Sequence, residues 1–501
     1  MSKEIKNVTK QSGIVFIGKV LGLVLGLIFN VLAARYLGAE LFGKFTYIFT
    51  FISFFPIIAL LGIQQGIVYY IPKLDEEKNY KFKSEIITIS FLIVSLIGVI
   101  LSFVLILNSD FILNTVLNSK EEAYNSIYYL VVPLIVFLAL SQLAQGVFRG
   151  VKHIKPFVIN QDFIVPLLKI LVLVISIIFL GNQIETIILS FYVSIIIGCL
   201  YLINAIRKKD LFGKISLESM KNYKQVLLYS FPLLFTGFLG FISQKTDVFM
   251  IGYLLNDQDV GVYRIALQIG TLSSFTLVAF NMIFAPTISS LFHKGNIKEL
   301  ELMFKTITKW VVTVNLLAFG LILLLNEEIM LVFGYEFLFG STALVLVAIG
   351  QVVNAGVGSA GQFLTMTGHP FLTMIINFMT VILNIFLNLT FIPKFGIEGA
   401  ALASLMSVAF ANILKLILLY SIHRIQPYDR YFLKMLLSVS LSFIVIYFLK
   451  LFIDFHFIIS ILILAIAYIM IFLILYYFVG MNNEDKRILN EINKYIKLKL
   501  K

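Results

Sequence analysis

Residues 230–255 read SFPLLFTGFLGFISQKTDVFMIGYLL. From Phe231 to Leu255 the stretch is apolar and long enough to cross the roughly 30 Å hydrocarbon core of a bilayer. Lys245 and Asp247 stand in its middle. A charge at that depth costs roughly 2.5–3.5 kcal/mol on insertion scales, so such residues mark functional positions. The segment predicts a membrane helix with a polar task, in a protein that moves something polar or charged.

The rest of the chain agrees with a membrane solvent. Of 501 residues, 60% are hydrophobic and only 13% charged, more apolar surface than a soluble fold of this size can hide. Apolar runs of spanning length are predicted near 13–34, 45–68, 86–107, 127–148, 157–180, 186–206, 228–254, 262–288, 310–333, 338–364, 371–392, 397–421, 435–452 and 457–479. The expected fold is an all-α polytopic membrane protein with about 14 transmembrane helices.

Charge placement sets an orientation. With the N-terminus inside, 29 of the 39 Lys and Arg fall in inner segments, 5 in outer loops and 5 within spans. That asymmetry is a positive-inside signal with both ends cytoplasmic. The net charge of +12 is therefore topogenic, and no nucleic-acid partner is implied. The single cysteine, Cys199, excludes an internal disulfide and a cysteine-based metal site. The first apolar run follows three lysines but is too long for a signal peptide and carries Lys19, so no cleavage is expected. The tail, 481–501, has Ile488, Leu489, Ile492, Tyr495 and Ile496 on one helical face among lysines. It predicts a basic amphipathic helix on the inner surface.

The chain resembles itself. YLGAELFGKF aligns with LLNDQDVGVY, placing Gly43 on Gly261; Phe148–Gly150 aligns with Met366–Gly368; Ile184–Glu185 aligns with Ile397–Glu398. Each repeat holds six spans, an even number, so both insert with the same orientation. The expectation is two six-helix bundles, 1–210 and 211–425, in a parallel pseudo-twofold repeat. Two additional transmembrane helices follow in 426–480.

Intramembrane polar residues are the candidate site. Gly237, Gly240, Gln244 and Asp247 share one helical face. Lys245 lies about 200° from Asp247 around the axis, so the two do not pair within the helix. Asp162 and Lys169, seven residues apart, share a face, and the repeat sets them opposite Asn377 and Asn384, where Asn388 extends the stripe. Helix-to-helix hydrogen bonding is the structural alternative for these residues. Gly18, Gly22, Gly26 and Asn30 recur at steps of four beside Lys19, a pattern of close helix packing. Lys415 shares a face with Ser404 and Ser407. Arg35, Arg149 and Arg264 sit at span ends, as interfacial anchors or guards of a cavity mouth. Five cations inside spans face two clear acids, Asp162 and Asp247. A cavity drawing on them is positive and suits a phosphate or pyrophosphate. No Walker loop, zinc-protease motif, nucleophile elbow or Cys pair occurs, and the five histidines are scattered. Neither catalysis, nor a metal, nor a cofactor is expected.

Five segments, NVLAARYLGAELFGKFTY, SQLAQGVFRGVKHIKPFVINQ, SFPLLFTGFLGFISQKTDVFMIGYLLNDQDVGVYRIA, FAPTISSLFHKGN and GQFLTMTGHP, together resemble the polysaccharide-type flippases of the multidrug/oligosaccharidyl-lipid/polysaccharide exporter superfamily. The likeness runs from about residue 8 to 425 and includes the six-plus-six plan. It implies a flippase that turns a lipid-linked oligosaccharide or polysaccharide precursor, on a polyprenyl phosphate or pyrophosphate, across the cell membrane by alternating access. Its partners are then that glycolipid, membrane lipids and glycan-assembly proteins. The expected cavity residues are Lys19, Asp162, Lys169, Gln244, Lys245, Asp247, Asn377, Asn384 and Lys415. A multidrug-type ion-coupled antiporter, which calls for a cavity dominated by acids, and a membrane-embedded glycan polymerase or acyltransferase are the rival readings.

Overall fold

The computed structural model describes residues 3–118, 122–181, 183–451 and 457–481, and the secondary structure of these residues is helical. Residues 482–501, nearly all of the predicted amphipathic tail, lie outside the described residues. The principal helices are α1 (Lys3–Ile52), α2 (Ile63–Glu76), α3 (Tyr80–Leu107), α4 (Leu134–Gly150), α5 (Val165–Leu180), α6 (Ile184–Arg207) and α7 (Leu217–Leu254). They continue as α8 (Asp257–Gly270), α9 (Ser274–His293), α10 (Ile297–Leu331), α11 (Ser341–Gly356), α12 (Pro370–His423), α13 (Arg430–Lys450) and α14 (Phe457–Leu475). Side chains close several N-termini: Asn79 on α3, Asp429 on α13, and a reciprocal Ser216/Ser219 capping box on α7.

Among the described residues, eleven helical stretches are long and apolar enough to cross a membrane, or twelve if the bent pair α8 and α9 counts as one. The expectation was fourteen. The difference lies in two tracts, Ile17–Glu76 of 60 residues and α12 of 54. At 1.5 Å per residue, 54 residues reach about 81 Å, more than twice the hydrocarbon thickness. The backbone leaves helical geometry inside both, at Gly38 and Gly396. Each tract therefore contains two spanning lengths joined end to end.

Gly181, between α5 and α6, has φ 74° and ψ −156°. Gly396, inside α12, has φ 58° and ψ −137°. These corners precede the aligned pairs Ile184–Glu185 and Ile397–Glu398. Both use backbone that glycine alone adopts at little cost, so the two repeats turn on the same device.

The chain divides into two compact units, Met1–Arg264 and Ile265–Lys501. In the first, α2, α3, α4 and α6 pack around Ile63, Ile67, Ile71, Ile87, Val94, Leu143, Val147 and Leu202, with Tyr223 and Val226 of α7 against the same core. One helix crossing in this unit is especially tight. A Cβ at Gly43 of α1 would lie 1.7 Å from the Asp257 carbonyl oxygen, and one at Gly261 of α8 would lie 2.2 Å from that of Ala39. The two glycines that the repeat equates therefore face one another. In the second unit α10, α11 and α12 pack together, and α13 and α14 pack on each other and on α10. There Tyr468 fills the space left by the missing side chain of Gly320. Leu96, Phe103, Ile178, Phe179, Phe386 and Ile466 stay exposed, as expected of side chains facing lipid.

Candidate functional site

The site in the first unit is built along α1. Its lower part is closed. A Cβ at Gly18 would lie 2.3 Å from Val158, and one at Gly22 would lie 3.1 Å from the Asp162 backbone. Asp162 sits in a π-helical turn, Asn160–Ile164. Its Oδ1 accepts a hydrogen bond from the Lys19 ammonium at 3.1 Å, with the carboxylate 7% exposed and the lysine 40%. Here the glycine stripe packs, and the acid has its cation.

Farther along α1 the stripe opens. Gly26 has no atom within 4 Å of a would-be Cβ. It lines, with Asn30, a cavity of about 370 Å³. Lys169, Lys245 and Arg264 all reach this cavity. The three thus share one cavity wall, and none of them has a carboxylate partner among the described residues. The Lys169 Nζ lies 3.5 Å from the centre of the Phe191 ring and 5.7 Å from that of Phe29. Phe45 and Phe49 pack on Phe191 with ring centres 4.8 Å away. The ring faces stabilise the ammonium through their quadrupoles without neutralising it.

A second cavity of about 400 Å³ adjoins the first and shares Lys245 and Ser53 with it. Its polar walls are amides: Gln64 and Gln65 of α2, Gln142 of α4 and Gln244 of α7, with Thr236. Gly237 and Gly240 keep the α7 wall low. No carboxylate lines either cavity among the described residues.

The other predicted residues lie elsewhere. Asp247 is buried and accepts a hydrogen bond from the Tyr263 hydroxyl at 3.0 Å, whereas its near neighbour Lys245 faces both cavities. This is the divergence that helical phase predicts. In the second unit Asn388 donates to Asn384 at 3.1 Å, and Asn384 is 3.5 Å from Ser404. Asn377 is exposed, and Lys415 is half-buried beside Gly361. Arg35 and Arg149 are exposed, while Arg264 lies inside the cavity rather than at a helix end. Gln64, Gln65 and Gln142 are not among the predicted residues, although the amides Gln244, Asn377 and Asn384 are. The signal that finds them is an amide inside an apolar window.

Known proteins match the same stretches. The family model described as "Polysaccharide biosynthesis protein" matches residues 8–292, more than half of the chain, and the MatE model matches 232–390. The chain is 27% identical over 197 residues to the probable low-salt glycan biosynthesis flippase Agl15 of Haloferax volcanii, a match covering 39% of this chain and 42% of that one. It is 28% identical over 174 residues to the probable flippase AglR of the same organism, covering 34% and 36%. The matched stretches thus span less than half of either relative. The fold is similar to that of the lipid II flippase MurJ in an inward closed conformation, with a TM-score of 0.73 at 19% identity over 92% of this chain and 98% of that one. The matched residues 8–292 hold α1, the tight Gly43–Gly261 crossing and both cavities, and on that match the chain belongs to the polysaccharide biosynthesis protein family.

Proposed function

We propose that the protein is a flippase that carries a lipid-linked oligosaccharide or polysaccharide precursor, on a polyprenyl phosphate or pyrophosphate, across the cell membrane. The observation that carries this reading is the cavity that, among the described residues, is lined by three cations and no carboxylate. Unpaired cations in a low-dielectric wall call for an anionic guest, whereas an extruder of cationic drugs calls for acids. The family match and the names of its flippase relatives support the same reading. In it, helix bundles 1–210 and 211–425 alternate access, the extra pair in 426–480 borders the lipid tail, and 481–501 lies on the inner membrane surface. Both termini are cytoplasmic, and Lys169, Lys245, Arg264 and Gln244 meet the head group. Lys19, Asp162, Asp247, Asn384 and Lys415 hold helices in place, Arg35 and Arg149 anchor helix ends, and glycan-assembly proteins supply the cargo.

Deletion of the gene followed by lipid extraction tests the proposal. One lipid-linked glycan builds up on the inner leaflet, and re-expression clears it. An unchanged lipid-linked glycan pool in the deletion strain refutes the flippase.

A further inference from the structure

The amide-lined cavity adjoins the cationic one and is walled mainly by neutral polar groups. Gln64, Gln142 and Gln244 converge on it from three helices, and none makes a hydrogen bond to protein among the described residues. Gln65 accepts one long contact, 3.4 Å, from Thr236. An amide facing hydrocarbon without a partner costs several kcal/mol, so these groups face water or a polar guest. Each presents two donors and an acceptor with two lone pairs, a complement to hydroxyls that both give and accept. Among the described residues the one charge on the wall is Lys245, which also lines the cationic cavity.

We infer that the two cavities are adjoining subsites of one head group: the phosphate lies among Lys169, Lys245 and Arg264, and the sugar lies among Gln64, Gln65, Gln142 and Gln244. Lys245 stands at the junction, where the phosphate joins the first sugar. This assignment rests on the flippase reading and adds to it the residues that recognise the glycan.

The test compares two probes on the full chain in nanodiscs: bare polyprenyl diphosphate, and the same lipid carrying a disaccharide of N-acetylhexosamines. The wild type binds the glycolipid about tenfold more tightly than the bare lipid, the worth of one or two neutral hydrogen bonds. Gln64→Ala with Gln142→Ala removes most of that preference and leaves affinity for the bare lipid unchanged. Gly240→Leu, which fills the amide cavity from a position with no atom within 4 Å, does the same. Lys245→Ala weakens both probes. Equal affinity of the two lipids in the wild type, or glutamine variants that weaken both alike, overturns the sugar subsite and leaves the phosphate reading standing. No binding of either lipid by the wild type overturns both.

Discussion

Reversing the charge at Lys245 abolishes translocation. Lys245 is the one cation that lines both cavities. Removing a charge-assisted contact costs about 1.5–3 kcal/mol, or roughly 10- to 150-fold, and Lys245→Gln falls in that range. Lys245→Glu goes further, because it replaces the contact with a repulsion against phosphate, and its rate drops at least about a hundredfold. The readout is movement of a fluorescent polyprenyl diphosphate sugar across proteoliposomes, with size-exclusion profiles checking that the variants fold. Asp247 keeps its Tyr263 hydrogen bond, so the local helix is preserved. Wild-type rates from Lys245→Glu would remove Lys245 from the phosphate site.

Alanine at Gly43 or at Gly261 destabilises the protein by about 3 kcal/mol or more, at the upper end of overpacking costs. The atoms met by the new methyl groups are carbonyl oxygens of Asp257 and Ala39. Backbone cannot rotate away as a side chain does, so α1 and α8 must separate. The contact is reciprocal: a Cβ on Gly43 would lie 3.0 Å from the Gly261 nitrogen, and one on Gly261 would lie 3.2 Å from that of Gly43. The double variant therefore costs less than the sum of the singles, since the first methyl already opens the crossing. Gly356 is the control. It is helical, and nothing lies within 4 Å of its would-be Cβ, so Gly356→Ala is neutral or stabilises by about 0.5–1 kcal/mol. Thermal midpoints in detergent rank the set; a Gly43→Ala midpoint equal to that of Gly356→Ala would show a looser crossing.

The membrane class and the opposite faces of Lys245 and Asp247 were legible because each depends on local composition or on helical phase. The glycine corners at Gly181 and Gly396 were not read from the sequence, although they stand just before the aligned pairs Ile184–Glu185 and Ile397–Glu398. Pairings across the chain were not legible. Lys19 and Asp162 are 143 residues apart, and no local rule joins them: helical phase groups Asp162 with Lys169 and sets Lys19 beside the glycine stripe. The rings that meet Lys169, Phe29 of α1 and Phe191 of α6, lie on different helices from it and from each other, in a chain with 48 phenylalanines to choose from. Arg264 was placed at a helix end because the apolar run begins at about residue 262. The helix itself begins at Asp257, which carries Arg264 two turns inward. The count of spans differed where helices run on through a glycine without a loop, because hydropathy reports breaks in composition and not the path of the backbone.

The cavity's lack of a carboxylate has an electrical consequence. Arg264 stays protonated in any protein setting, so the empty site carries positive charge, and a bound phosphate or pyrophosphate offsets part of it. If the two bundles alternate, the loaded carrier reorients with less positive charge than the empty carrier. Each elementary charge that crosses the membrane field is worth about 2.3 kcal/mol per 100 mV, and an interior-negative potential draws the empty, positive site back toward the cytoplasm. Multiple turnover in proteoliposomes then responds to an ionophore-set negative interior more strongly than a single loaded passage does. A voltage-independent return would break the link between this charge and the cycle. Resetting, not loading, becomes the step that the membrane potential drives.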